Sequence, residues 1–428
     1  MPAAPPGGAP ARSSMLLLVL LLALSAWIQL TVAARTEVDG PLRADAADYF
    51  SYAWNLDRLH VYSSVPTWRD PTLEPIPDAL RTPGYPLFLL LAGHPQPDAG
   101  WLHRVVLLQA LLGIGSVLLA WLVARAFLAR GPALLAALVV AIHPWLATSG
   151  TYLLSESLFT FLLLATVLLA LRAYSPGAQP WRALLAGVAC GVCSLVRPTT
   201  EFLPLLFLAA AWLWPSLRGL RRPALLAFLA FALVWSPWAL RNRIVDVGDS
   251  ASHLMVGSLA HGSYPGFMYD EHPESFGFPY RFDPEYPVFS RDLPSVLAHL
   301  RAEFTAHPAR YARWYLLGKP WYFLSLEDVQ SMDVLVYPVS HTPYFEDLRF
   351  ALMRLLSRAL HWPLVMLGLL AMALLALRPA ALRLAPGQQR AAMLAGVVVG
   401  YAIALHMVAA PFPRYGIPFR PLLYALAL

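Results

Sequence analysis

The run MLLLVLLLALSAWIQLTVAA, residues 15–34, holds no charged side chain and is as long as a bilayer core requires of a helix. Apolar runs of comparable character recur at about 103–124, 132–149, 153–171, 183–197, 202–217, 223–240, 360–377, 391–410 and 415–428, each bounded by charge, proline or glycine. Hydrocarbon leaves no partner for an unpaired backbone amide, so segments of this length suit helices and not strands. The chain is therefore expected to be all-α and polytopic, with about ten spans. Composition agrees, because 13% of residues are charged where a soluble domain carries about 25%. The sequence VAA before Arg35 resembles a signal cleavage site, but the preceding run exceeds the usual signal length and is read as the first span.

Residues 1–14 are rich in Pro, Gly and Ala and are expected to be disordered. A transmembrane module follows over 15–240 and contains a first polar segment, 35–102. A second and larger polar segment fills 241–359, and the remaining spans occupy 360–428.

The net charge of +6 comes from arginines scattered between spans, which is how membrane topology distributes them and not how a nucleic-acid surface does. If the spans alternate, Arg125, Arg130, Arg172, Arg182, Arg218, Arg221, Arg222, Arg378, Arg383 and Arg390 share one side, and the excess marks it as cytoplasmic. Both long polar segments then lie on the outer side. Arg43, Arg81, Arg197, Arg241, Arg243 and Arg414 break the pattern by standing at outer membrane ends. Snorkelling or pairing with carboxylates accounts for any one of them; six together point to an anionic ligand at that surface. Cys190 and Cys193, within one apolar run, read as inert buried thiols.

In PLRADAADYFSYAWNL, residues 41–56, helical spacing puts Asp45, Asp48, Tyr49 and Tyr52 on one face. The spacing fits a helix start favoured by acids, with aromatics at the interface, as well as it fits a site. Glu156 interrupts an apolar span near its outer end, and an ionisable group there is by default functional. His143 and His406, alone in apolar runs, read as structural. In HGSYPGFMYDEHPESFGFPYRFDPEYPVF, residues 261–289, Tyr264 and Tyr269 alternate with acids in a way that suits the face and hydroxyls of a sugar. A proline-rich lid packed on itself fits that stretch equally. HPARYARWYLLGKPWYF, residues 307–323, suits an interfacial helix.

The ordered set DAADYFSYA, LRTPGYPLFLLL, TYLLSESLFTFLLL, VRPTTEFLPLLF, WSPWALRN, LLGKPWYF and PFPRYGIPF resembles the integral-membrane glycosyltransferases of the GT-C superfamily. The likeness is greatest to the branch of lipid A aminoarabinose transferases, protein O-mannosyltransferases and rhizobial lipopolysaccharide galacturonosyltransferases. It runs over about 35–250 and returns near 414. The resemblance implies a polyprenyl-phosphate sugar as donor, used at the outer leaflet with inversion, and a lipid, glycan or protein as acceptor. It implies Asp45, four residues before Tyr49, as the general base, with Asp48 and Glu156 beside it. Arg81, Arg197, Arg241 and Arg414 would hold the donor phosphate, whose oxygens suit the guanidinium fork, and Tyr49, Tyr85, Tyr264 and Tyr269 would meet sugar or acceptor. Where the aminoarabinose enzymes read Glu-Lys-Pro-Pro this chain reads LRTPG, with Thr82 in place of the lysine and Arg81 one position earlier.

No cofactor is implied with certainty. A divalent cation on Asp45 and Asp48 stays open, magnesium or calcium by their oxygen ligands, or zinc with help from His60 or His94. The expected setting is a bacterial inner membrane with the site outside, among membrane lipids and away from nucleic acid. The absence of a P-loop disfavours a nucleotide-sugar donor at the cytoplasmic face. The alternative is a transporter or flippase for a lipid-linked or anionic substrate, which would place its charges near the membrane midplane.

Overall fold

The first apolar run forms α1 (Ala11–Arg35) in the computed structural model, which describes residues 11–428 apart from 246 and 249. The expected disorder over 1–14 lies outside these residues up to 10, and the helix is already formed at Ala11. The first polar segment carries α2 (Ala44–Leu59) and α3 (Gly84–Leu89). Next come α4 (Ala99–Ala124), α5 (Arg130–Ile142), α6 (Pro144–Thr148), α7 (Glu156–Ala173), α8 (Pro180–Val196), α9 (Leu203–Leu213) and α10 (Arg221–Ile244). Short helices mark the second polar segment: α11 (Ser250–Gly262), α12 (Tyr286–Phe289), α13 (Leu293–Ala306), α14 (Pro308–Arg313), α15 (Lys319–Leu324) and α16 (Pro343–Glu346). The chain ends with α17 (Leu348–Leu377), α18 (Pro386–Val408), α19 (Pro413–Gly416) and α20 (Arg420–Ala427).

Among the described residues six helices are long and apolar enough to cross a membrane, or seven if the bent pair around His143 counts as one span. The all-α, polytopic expectation therefore holds, while individual spans differ from their expected form. The run at 132–149 is broken by 55° between α5 and α6. His143 is extended there (ψ 115°) because the ring of Pro144 excludes the residue before it from helical geometry. The described run at 415–428 does not form one continuous helix. Pro413, Pro418 and Pro421 divide it into α19, a 3₁₀ turn at Ile417–Phe419 and α20, and residues 416–426 are buried within the bundle. Its Arg420 donates from Nη2 to the carbonyl of Ser325 at 2.5 Å. The second polar segment is also shorter than expected, since α10 runs on to Ile244 and α17 begins at Leu348.

The helices α1, α4, α5 and α7 share one core with α17 and α20, through residues such as Ile28, Val105, Phe159, Val365 and Leu422. The pair α8 and α10 packs closest through small residues: a Cβ at Gly187 would collide with the backbone of Ala227, and one at Gly191 with Val234. The two polar segments are joined at one end of the bundle. There β1 (Glu37–Val38) pairs antiparallel with β2 (Val339–His341), and Arg35 reaches Glu346 at 3.7 Å and Asp347 at 3.5 Å. Gly187→Leu is expected to cost about 1–3 kcal/mol of stability through overpacking, read as a lowered thermal unfolding midpoint in detergent. An unchanged midpoint would mean that α8 and α10 are not in backbone contact.

Candidate active site

The start of α2 brings its acids to the joined end of the bundle. Arg43 is extended at the N-cap and Ala44 has φ 44°, a left-handed conformation that costs a side-chain-bearing residue about 1 kcal/mol or more. Asp45 follows directly. Its Oδ1 accepts from Arg81 Nη2 at 2.8 Å and its Oδ2 from Arg414 Nη2 at 3.0 Å. Arg81 also donates to Asp48 Oδ2 from Nη2 at 2.8 Å and Nε at 3.3 Å, so one guanidinium bridges both carboxylates.

The LRTPG loop is built to hold Arg81 there. Its amide donates to Tyr52 Oη at 3.3 Å, and its carbonyl accepts from Tyr62 Oη at 3.0 Å. Tyr52 and Tyr62 stack at 4.2 Å, and Tyr52 donates in turn to Asp78. Thr82 Oγ1 donates to the carbonyl of Val196 at 3.4 Å, while Gly84 leaves no room for a Cβ against the backbone of Leu195. The loop is thereby clamped to the C-terminal end of α8.

That end carries the second pair. Glu156, 4% exposed at the start of α7, lies 3.0 Å from Arg197 Nη1. Arg197 is extended (φ −145°) just past α8 and before Pro198. The ring of Tyr415 lies 4.9 Å from the guanidinium carbon of Arg197 and 5.3 Å from that of Arg414, which places both cations around one aromatic side chain. Arg414 is held from behind, because its amide donates to Asp328 Oδ2 at 3.0 Å. Lys319 Nζ donates to the carbonyls of Val408 and Ala409 at 3.1 and 3.0 Å, and so caps α18 just before the turn that leads to Arg414. Among the described residues Arg414 Nε and the Tyr337 hydroxyl are buried without a hydrogen-bond partner, and Arg197 Nη1 faces Glu156 without hydrogen-bond geometry.

The charges are strongly coupled. Burial acts against the Asp45 carboxylate, but Arg414 and Arg81 outweigh it and hold the carboxyl well below its usual range. Asp48 is raised, by burial first, with Arg81 offsetting part of the effect. Arg81 and Arg414 are more firmly protonated than a free guanidinium despite burial, chiefly through Asp45.

Of the residues singled out from sequence, Asp45, Asp48, Arg81 and Arg414 form one connected group, and Glu156 and Arg197 adjoin it across Tyr415. Tyr49 borders the group, with Arg81 5.4 Å from its ring and its hydroxyl donating to Ser155 Oγ at 3.3 Å. Tyr85 is fully buried behind Tyr49 and donates to Gln109 Oε1 at 2.9 Å, a packing role. Arg241 does not join the other arginines. It donates to the carbonyls of Asp78 at 2.7 Å and Tyr62 at 3.2 Å and braces the loop. Tyr264 donates to Asp283 at 2.6 Å and packs with Phe289 and Tyr269, so that part of the stretch folds on itself, while His261 and Phe267 pack on Phe412 beside the site region. Sequence reasoning missed Tyr415, Asp328, Lys319 and Tyr337. Tyr415 had a signal in its adjacency to Arg414, whereas Asp328 is one acid among many in a long segment.

A divalent cation does not fit these residues. Arg81 stands between the Asp45 and Asp48 carboxylates where the ion would sit, and among the described residues no three His, Cys, Asp or Glu side chains gather as ligands. His94 pairs with Asp57 at 2.9 Å, and His60 terminates α2 with φ 56°.

The fold is that of an integral membrane protein, and its helical architecture is similar to that of GT-C membrane enzymes. Residues 96–248 match the family model of dolichyl-phosphate-mannose-protein mannosyltransferase, a stretch that includes Glu156, Arg197 and Arg241 but neither Asp45 nor Arg414. Similar solved structures include the archaeal oligosaccharyltransferase AglB from Archaeoglobus fulgidus in complex with an inhibitory peptide and a dolichol-phosphate, at 14% identity and TM-score 0.50, covering 97% of this chain and 50% of that one. The Archaeoglobus fulgidus oligosaccharyltransferase tethered to an acceptor peptide gives 15% identity and TM-score 0.52, over 97% and 49% of the two chains. ArnT from Cupriavidus metallidurans bound to undecaprenyl phosphate gives 14% identity and TM-score 0.44, over 98% and 77%. The chain thus spans about half the length of the archaeal enzyme. No curated protein matches it in sequence.

The depressed Asp45 makes a signed prediction. Its folded pKa lies below the unfolded value of 3.8, so its pairs contribute fully above about pH 4 and are lost as pH falls toward the folded value. Asp45→Asn is expected to flatten the fall of the unfolding midpoint between about pH 5 and pH 2. Asp48→Asn, which removes a raised carboxyl of opposite sign, is not. An equal acid slope in wild type and Asp45→Asn would remove the two arginine pairs from the folded state.

Proposed function

We propose that the chain is a glycosyltransferase that moves a sugar from a polyprenyl-phosphate donor to a hydroxyl-bearing acceptor outside the cytoplasm. The observation that carries this reading is the pincer of Arg81 and Arg414 on Asp45: two phosphate-binding cations and a carboxylate on one spot, at a membrane end, in a GT-C fold. The mannosyltransferase family match and the dolichol-phosphate named with the archaeal structure support a lipid-phosphate donor. The arginine excess at the opposite end supports an extracytoplasmic site, and the resemblance to bacterial envelope transferases supports a bacterial inner membrane. The charges gather at one end and not at midplane, which disfavours the transporter alternative.

The acceptor oxygen bonds to the anomeric carbon as the bond from that carbon to the phosphate oxygen breaks. The lipid phosphate leaves with the electron pair, and the acceptor proton passes to Asp45. Attack opposite the leaving group inverts the centre. Before donor binds, Asp45 is a poor base because two guanidinium groups stabilise its charge. When they turn to the phosphate, its basicity rises where the proton is released, and the same cations stabilise the leaving group.

The test is transfer from labelled polyprenyl-phosphate sugars to lipid, glycan and protein acceptors in membranes holding equal amounts of wild type or variant. Asp45→Asn is expected to lower transfer by about 10²-fold or more, with the fold retained. Arg81→Gln and Arg414→Gln are expected to raise KM for donor and lower kcat together. Transfer by Asp45→Asn at the wild-type rate would remove Asp45 from the chemistry, and no transfer from any donor would overturn the enzyme reading.

A further inference from the structure

At the end of the molecule opposite Asp45, the C-termini of α4 and α7 and the N-terminus of α18 border a cleft of about 440 Å³. Arg125, Arg172 and Arg390 line it, with Leu168 and Leu394 on its walls and no carboxylate. Among the described residues none of the three arginines has an ion-pair partner.

Two of these cations have a local explanation. Arg125 directly follows α4, where its Nη1 donates to the carbonyl of Leu128 at 2.5 Å, and Arg172 lies in the last turn of α7. The macrodipole favours a cation at both places. Arg390 has no such explanation. It lies about one turn into α18 near the positive end of that helix, with no acid in the first turn to compensate. Its Nε donates to the carbonyl of Pro386 at 3.2 Å, which keeps the guanidinium beside the cleft. Gly387 also lines the space, and a Cβ there would meet nothing within 4 Å, so first-turn amides of α18 border open volume.

The ligand this arrangement fits has a negative head and an apolar tail. Three guanidinium groups suit phosphate oxygens, while Leu168 of α7 and Leu394 of α18 give the cleft apolar walls. We infer that the cleft binds the phosphate of an anionic phospholipid at the membrane face opposite the candidate active site, with an acyl chain lying along α7 and α18. Basic recesses between membrane helices on the arginine-rich side take such head groups. The site is separate from the proposed transfer chemistry and does not depend on it.

The full chain in a neutral detergent is titrated with phosphatidylglycerol, cardiolipin or phosphatidylcholine, and bound lipid is counted by native mass spectrometry. The expected result is a preference of about 10-fold or more for the anionic lipids, lost in Arg172→Gln/Arg390→Gln. The control Arg378→Gln/Arg383→Gln removes two arginines at the same membrane end outside the cleft and is expected to keep the preference. Equal loss in both double variants would mean diffuse surface charge and overturn the site. Binding of inorganic phosphate that displaces the lipid at comparable concentration would overturn the lipid assignment and leave a soluble anion as ligand. Unfolding midpoints in phosphatidylcholine alone check that the variants fold; a double variant that keeps its midpoint and its lipid preference also overturns the inference.

Discussion

A single guanidinium shared by two carboxylates organises the charged end of this molecule. Arg81 bridges Asp45 and Asp48, and Arg414 closes on the other oxygen of Asp45. Two opposite unit charges about 4 Å apart attract by about 4 kcal/mol at the effective dielectric of a partly buried site. Partly buried acids side by side would otherwise repel, and one would stay protonated. The arginines allow Asp45 to remain ionised at the mouth of a membrane protein. A lipid phosphate carries comparable charge, so on the proposed reading donor binding exchanges one anion for another around cations already in place. Little reorganisation then remains for the reaction itself.

The positions of these groups depend on constraints far from one another in the chain. Asp45 and Arg81 come from the first polar segment, Glu156 and Arg197 from the ends of two membrane helices, and Arg414 from a turn near the C-terminus. The β1–β2 pair joins the two polar segments, Lys319 caps α18, and Asp328 accepts from the amide of Arg414. Lys319 is fully buried, and its ammonium is pushed down to about 6 by desolvation. A residue this costly to bury is retained for the two carbonyls it satisfies.

Much of the fold was legible in the sequence because hydrocarbon is a stringent solvent: charge-free length alone announces a helix. The departures follow from proline. Pro144 breaks one expected span, and Pro413, Pro418 and Pro421 leave the last stretch as short buried helices, which hydropathy cannot distinguish from one long helix. Among the site residues, Asp45 stood out through its helical spacing with Asp48 and Tyr49 and through the family resemblance, and Arg81 and Arg414 as cations where topology disfavours them. Arg241 stood out for the same reason, yet its guanidinium is taken by backbone carbonyls. Sequence position reveals that a charge is expensive, but not which partner compensates it. Tyr264 illustrates a related ambiguity: alternating aromatics and acids bind sugars and bind one another with the same chemistry, and here its hydroxyl donates to Asp283.

The LRTPG loop shows how a backbone anchored elsewhere delivers one side chain to two partners. Thr82 hooks the Val196 carbonyl, and Gly84 lets the loop press on Leu195 where any side chain would collide. Tyr52 and Tyr62 then fix the Arg81 backbone from both sides. The threonine and the glycine anchor the loop to α8, and the anchored backbone delivers Arg81 to both carboxylates. Arginine also reaches with a planar fork where lysine offers a point, so one side chain can serve Asp45 and Asp48 together.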